Sequence, residues 1–248
     1  VGLEFQGAAI LISSSSRERF RGASALKISI VIPVWNEREV IPSMIDHWRQ
    51  WEKEAELLFV DGGSADGSRD LLKVAGFSTM ESGKCRARQM NEGAARASGD
   101  VLLFLHADTK LPSEALRLIE QGFRKGQHVW GRFDVLIEGQ SRLFPLIGFM
   151  ISLRSRLSGI ASGDQAIFMT REAFEKVGGF PEQPLMEDIE ISKRLLKLSR
   201  PLCLRERILT SGRRWEKRGV WKTIVLMWRL RLAYWLGASA HDLARYYR

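Results

Sequence analysis

The chain has 248 residues, 45% of them hydrophobic and 27% charged, a balance that excludes a disordered or fibrous polymer and leaves room for one large α/β domain or two small ones. A formal net charge of +9 directs attention to anionic partners, whether nucleic acid, acidic membranes or phosphorylated substrates. The two cysteines, Cys85 and Cys203, lie too far apart for a metal spacing and fit a reducing compartment.

In chain order, residues 1–26 contain an apolar piece, 8–12, too short for a secretory core, then a serine run and an Arg-rich stretch; a disordered extension is expected. Residues 27–34 (KISIVIPV) read as a strand. Val40, Ile41, Met44, Ile45 and Trp48 then recur at helical spacing across 37–51. A second strand, 56–60, breaks into the polar turn 61–67, and a helix follows over 68–74. A weaker strand at 76–80 and a helix at 84–97 lead into 101–109, VLLFLHADT, whose continuous apolar run predicts a strand buried on both faces. Four rounds of strand, loop and helix predict a parallel sheet with helices on both faces. No Gly-x-Gly-x-x-Gly motif supports a dinucleotide site.

Beyond Asp108 the expected elements are a helix at 113–124, a strand at 128–138 and a mixed apolar and basic stretch at 142–157. A strand at 165–170, helices at 172–177 and 187–198, and two short strands within 201–209 follow. The apolar helix at 219–237 carries Lys222, Arg229 and Arg231. Three cations in so short a window argue against a membrane span. The two remaining placements are a membrane surface and packing on the sheet.

Four constellations carry chemistry. Pro33 to Glu37 and Asp61 sit at adjacent strand ends, where carboxylates accept from a base N–H or a ribose hydroxyl; Asn36 as a cap and Asp61 as a turn former explain the same residues. Arg86 and Arg88, near the start of a helix, suit a diphosphate or a solvated basic face. His106 and Asp108 suit a divalent ion, Mg²⁺ or Mn²⁺, with imidazole favouring Mn²⁺. Glu187 and Asp188 open a helix whose dipole favours ionised carboxylates, one of which could take a proton from an attacking hydroxyl.

Taken together, IVIPVWNE, VDGGSADGS, LFLHADT, GGF and MEDIEISKRL resemble the family-2 glycosyltransferases of the GT-A fold, over about residues 27–215. LHADT, GDQ, the Glu-Asp pair and SGRRW are similar to a bacterial subgroup of small, single-domain members. The resemblance implies a Rossmann-like, mostly parallel sheet flanked by helices over 27–215. Residues 216–248 would then form apolar and basic C-terminal helices packed on that domain or on a membrane. It implies that Asp61, helped by Pro33 and Glu37, contacts the base of a nucleotide-sugar donor, with Arg86 near the diphosphate. Asp108 matches the last aspartate of the family's Asp-x-Asp metal motif, and His106 replaces the first. Asp188 matches the catalytic base, with Glu187 beside it. Gly163, Asp164, Arg214 and Trp215 match the acceptor side; Ser211 replaces the glutamine of the Gln-x-x-Arg-Trp signature of processive relatives.

The implied activity is transfer, with inversion, from a nucleotide-diphosphate sugar to a hydroxyl or carboxyl group of a lipid-linked or lipophilic acceptor. The expected location is cytoplasmic, including the inner face of the cell membrane. Tryptophans interleaved with cations at 205–231 suit an anionic lipid surface. The alternatives are a catalytically weak nucleotide-sugar-binding protein and a sugar nucleotidyltransferase. The latter normally has a Gly-rich basic loop after its first strand, which residues 34–37 lack. No nucleic-acid motif accompanies the positive charge.

Overall fold

The computed structural model describes residues 25–247. The disordered extension expected at 1–26 therefore lies outside the described residues except at its end. There Leu26 packs against the core and its N–H donates to Glu120 Oε1 at 3.2 Å.

Eight strands form one mixed sheet in the order β3-β2-β1-β4-β7-β6-β8-β5. The first four are β1 (Ile28–Val34), β2 (Ala55–Asp61), β3 (Thr79–Glu81) and β4 (Val101–Phe104). They are mutually parallel, and their Ile, Val, Leu and Phe side chains alternate between two buried faces. On one face α1 (Ile41–Arg49), α2 (Ser68–Val74) and α4 (Ala115–Arg124) cover Ile30, Ile32 and Leu103. The edge-to-face rings of Trp48 and Phe59, 4.8 Å apart, anchor that layer. On the other face, α3 (Arg86–Arg96), α6 (Arg171–Val177) and α7 (Glu187–Leu196) cover Val31, Leu102 and Met169. Helix α3 comes close because residue 93 is glycine: a Cβ there would stand 2.4 Å from Val31 Cγ1.

The chain goes from β1 outward to β2 and β3, then returns to lay β4 on β1's other side. This is a topological switch point, and ligands of open α/β sheets bind at the strand ends there.

One expectation is corrected in the second half, and two further stretches gain their elements there. The two short strands expected at 201–209 are one strand, β8 (Leu202–Ser211), parallel to β6 (Trp130–Glu138). Its register jumps from Phe133↔Leu204 to Asp134↔Arg207, so the exposed Arg205 and Glu206 bulge outward without ending the ladder. The mixed stretch 142–157 is a single helix, α5 (Phe144–Ser158), opened by Pro145 and closed by Gly159 at φ 74°. The corner after Asp108 is a two-residue strand, β5 (Thr109–Lys110), antiparallel to β8 and tied to it by Thr109 Oγ1 to Thr210 Oγ1 at 3.0 Å. With β7 (Phe168–Thr170) antiparallel to both neighbours, four of the seven strand pairings are parallel.

The chain ends in α8 (Arg213–Arg218), α9 (Val220–Trp235) and α10 (Ala240–Tyr247). Leu230 of α9 and Leu243 of α10 are buried with Met186, so this region packs on the domain. The outer face of α9 leaves Trp221, Val225, Trp228, Leu232 and Trp235 exposed, a stripe at heptad spacing. No helix among the described residues is long and apolar enough to cross a membrane.

Candidate active site

The loops after β1 and β2 are tied together. Asn36, at φ 53°, accepts from Ala65 N through Oδ1 at 3.0 Å, and its own N–H donates to Ser64 Oγ at 2.9 Å. Asp61 ends β2 and is 3% exposed; its Oδ2 accepts from Gly63 N and Ser64 N, both at 3.0 Å. The turn-forming role is thus met by one oxygen. The other, Oδ1, is buried without a partner among the described residues. An unmet buried acceptor costs about 1–3 kcal/mol and suits a ligand N–H or O–H. Gln89 of α3, unmarked in the sequence, bridges the two strands by donating to Val34 O at 2.8 Å and Val60 O at 2.7 Å.

His106, Asp108 and β5 turn the corner beyond β4. Arg213, from the start of α8, reaches back over this corner. Its Nη2 pairs closely with Glu37 and its Nε lies 3.6 Å from Asp108 Oδ2. Residues 37, 108 and 213 are too distant in sequence for any spacing rule to have linked them. The imidazole of His106 is held neutral, well below its ordinary 6.5, by burial first and then by the charges of Arg86 and Arg214. Its Nδ1 faces Asp164 Oδ1 at 3.7 Å.

Asp164 lies in a 3₁₀ turn, Gly163–Gln165, fixed by a capping box between Ser162 and Gln165. Gly163 N donates to Asp188 Oδ2 at 2.8 Å, which joins this turn to the start of α7. A Cβ at residue 163 would stand 3.0 Å from His106 Nε2, so the backbone approaches the imidazole closely. Withdrawal from water and the charge of Asp188 push the Asp164 carboxyl up, against the pull of Arg86 and Arg231.

Glu187 is raised too, from 4.5 to about 7, by burial and then by Asp188, although Arg86 Nη1 lies 4.0 Å from its Oε1. A folded-state pKa above the unfolded one means that the fold holds an extra proton between these values. The resulting stabilisation is complete below about pH 4.5 and is lost as pH rises through about 7. The melting temperature of the parent chain should therefore fall between about pH 5 and pH 8 by about 5–10 °C more than that of Glu187→Gln. Equal slopes in paired thermal melts would remove Glu187 from the buried cluster.

These groups meet at the switch point around a cavity of about 500 Å³. Of the expected residues, Pro33, Glu37, Arg86, His106, Asp108, Asp164, Arg214 and Trp215 line it. Gly163, Glu187 and Asp188 line a small adjoining recess that shares Pro33, Arg86 and His106 with it. Asp61 stands one strand away, paired in register with Val34. Trp35, within the Pro33–Glu37 loop, lines the cavity too, with Lys84 Nζ 4.0 Å from its ring centroid. Among the described residues, no three His, Cys, Asp or Glu side chains converge on a metal position. The oxygens of Asp108 and Asp164 on one cavity nevertheless fit the manner of Mg²⁺ and Mn²⁺, which take one or two carboxylates and complete their shell with phosphate and water.

The family model described as Glycosyl transferase family 2 matches residues 29–178. The undecaprenyl-phosphate 4-deoxy-4-formamido-L-arabinose transferase of Proteus mirabilis (strain HI4320) is 32% identical over 119 residues, 42% of this chain and 36% of the relative. Its namesake from Yersinia pestis (strain Pestoides F) is 30% identical over 155 residues, 56% of this chain and 46% of the relative. The chain thus spans less than half the length of these relatives. Among solved structures, the mannosyltransferase PcManGT of Pyrobaculum calidifontis, in complex with GDP-Man and Mn²⁺, superposes with a TM-score of 0.62 at 16% identity, covering 88% of this chain and 66% of that one. TarS of S. aureus in complex with UDP-GlcNAc gives 0.61 at 15% identity, covering 75% and 58%. At such identities the likeness speaks for the GT-A fold alone, whereas the family model takes in strands β1 to β4, β6 and β7 and the corner that carries Asp108; the chain belongs to glycosyl transferase family 2.

Proposed function

We propose that the chain transfers a sugar, with inversion, from a nucleoside-diphosphate donor to a lipid-linked acceptor at a membrane surface. The observation that carries this reading is the switch-point cavity, where Glu37, Asp108 and Asp164 meet Arg86 and Arg214. Asp61 Oδ1 accepts from the base, and the loop from Pro33 to Glu37 borders it. Arg86 and Arg214 take the diphosphate through charge-assisted hydrogen bonds. Asp108, with His106 nearby, would hold a divalent ion that neutralises the leaving diphosphate. Asp188 takes the proton of the acceptor as it attacks the anomeric carbon from the face opposite the diphosphate. Gly163 and Asp164 border the acceptor, and Trp215 closes the cavity from the C-terminal side. In the two solved neighbours, GDP-Man with Mn²⁺ and UDP-GlcNAc are the bound molecules, which supports a donor of this class.

A thermal-shift panel of UDP-, GDP- and TDP-sugars, with and without Mn²⁺, tests the donor reading. One nucleotide series should stabilise the chain by about 2.7 kcal/mol at a hundredfold excess over its Kd. A flat response across the panel would defeat it.

The membrane reading rests on the α9 stripe, where three exposed tryptophans stand on a helix that also carries Lys222, Arg229 and Arg231. Tryptophan favours the bilayer interface, and each nearby cation adds about 1 kcal/mol at an anionic surface. The chain should float with anionic vesicles at low salt, and the combined change Trp221→Ser, Trp228→Ser and Trp235→Ser should leave it at the bottom of the gradient. Failure of the parent chain to float would dispose of peripheral attachment.

A further inference from the structure

Among the described residues, three other than glycine hold a positive φ, and each borders the candidate site. Asn36, at 53°, lies between the cavity residues Trp35 and Glu37 and has the short polar side chain that suits this conformation. Ala166, at 47°, follows the turn that carries Asp164. Met186, at 65°, directly precedes Glu187 and Asp188. A methionine side chain offers no local hydrogen bond to favour the left-handed region, so its surroundings must hold it there.

Met186 occupies the cap position of α7, where Ser, Thr, Asp or Asn usually satisfies a first-turn N–H; no side-chain cap bond is made here. Its carbonyl accepts from Glu190 N at 3.1 Å and so begins the helix. Its side chain is buried with Leu230 of α9 and Leu243 of α10, in a cluster separate from the two cores that flank the sheet. The segment leading to it also touches α9: Gln183 Nε2 donates to Leu185 O at 2.9 Å and reaches Tyr234 Oη at 3.5 Å. Farther along α7, Lys193 Nζ lies 5.0 Å from the centroid of the Tyr234 ring. The start of α7 is therefore braced by the C-terminal helices.

Two residues past Met186, Asp188 Oδ2 accepts from Gly163 N at 2.8 Å. A hydrogen bond of this length tolerates little displacement. Rotation of Met186 out of its left-handed φ would swing the first turn of α7, and Asp188 with it, away from the Gly163–Gln165 turn. The helix that exposes Trp221, Trp228 and Trp235 on its outer side thus grips the residue before the reacting carboxylates on its inner side.

We propose that Met186 is a positioning residue: clamped by Leu230 and Leu243, it transmits the docking of α9 and α10 to the place of Asp188. This rests on the reading of Asp188 as the base of the transfer, and it makes the C-terminal helices part of the construction of the site.

Hydrogen exchange of the Gly163 amide, followed by NMR on the full chain, reads the place of Asp188 without any substrate. The Ser162 amide, held by Gln165 Oε1 at 3.1 Å within the same turn, is the internal reference. Two variants remove the grip: Leu230→Ala combined with Leu243→Ala, and Met186→Gly, which accepts a left-handed φ without strain. Each should speed Gly163 exchange by about tenfold relative to Ser162. Met186→Leu, an apolar side chain of similar volume, should keep the parental ratio. Binding of UDP, GDP and TDP with Mn²⁺ should stay parental in every variant. A ratio unmoved by the grip-removing variants, equal acceleration of both amides, or Met186→Leu as altered as Met186→Gly would overturn the proposal. So would nucleotide binding that falls along with the protection of Gly163, or a Gly163 amide that exchanges like an unbonded one in the parent chain. The expected exchange pattern in a chain that binds none of the three nucleotides would keep the role of Met186 and defeat the donor reading instead.

Discussion

Asp188→Asn should lower sugar transfer about 10²–10⁴-fold, the range expected for loss of a positioned base, while nucleotide affinity changes by less than about twofold. The substitution is nearly isosteric. The amide oxygen of Asn can still accept the Gly163 N–H that Asp188 Oδ2 accepts at 2.8 Å, so the turn carrying Asp164 keeps its anchor. What is lost is the negative charge at the start of α7, where Glu187, Asp188 and Glu190 crowd the first turn. That charge helps to push up both Glu187 and Asp164. Its removal should bring both carboxyls down, so the residual activity of the variant should keep its level to lower pH than that of the parent. A merely structural Asp188 would give the opposite pattern, with nucleotide binding falling along with transfer. Transfer at the parental rate would refute the assignment.

The parallel half of the sheet was legible because its strands are apolar runs closed by polar corners, and ISIVIPV and VLLF fold as that pattern predicts. The Asp61 turn could be read in two ways, and the structure shows why: one oxygen makes the turn while the other stays open. The two short strands expected within 201–209 are one because a bulge absorbs Arg205 and Glu206 and the ladder continues. The apolar helix 219–237 offered two placements because it is apolar on two sides, one burying Leu230 and the other exposing three tryptophans. The contact of Arg213 with Glu37 and Asp108 is non-local, since it requires β8 to lie beside β5 before α8 can reach the cavity.

Asp108→Ala should abolish the gain in nucleotide affinity that a divalent ion confers. In the parent chain, Mn²⁺ should tighten nucleotide binding by about tenfold or more, because Mg²⁺ and Mn²⁺ are held through one or two carboxylates together with substrate phosphates. Without those phosphates the described residues offer no cluster of three ligands, so the ion alone should bind weakly. The side chain of Asp108 is 15% exposed, and Arg213 is its nearest cation, at 3.6 Å, in an arrangement that Glu37 also holds. An ion arriving with the diphosphate competes with that guanidinium for the same carboxylate. Arg213→Ala should therefore enlarge the Mn²⁺-dependent gain, whereas Asp108→Ala should leave nucleotide affinity the same with and without Mn²⁺. Calorimetric titration of both variants separates this from general damage, because misfolding would weaken binding in both conditions and both variants alike. A gain that survives Asp108→Ala would move the ion to Asp164 and leave the Arg213 pair as a clasp between α8 and the strand ends.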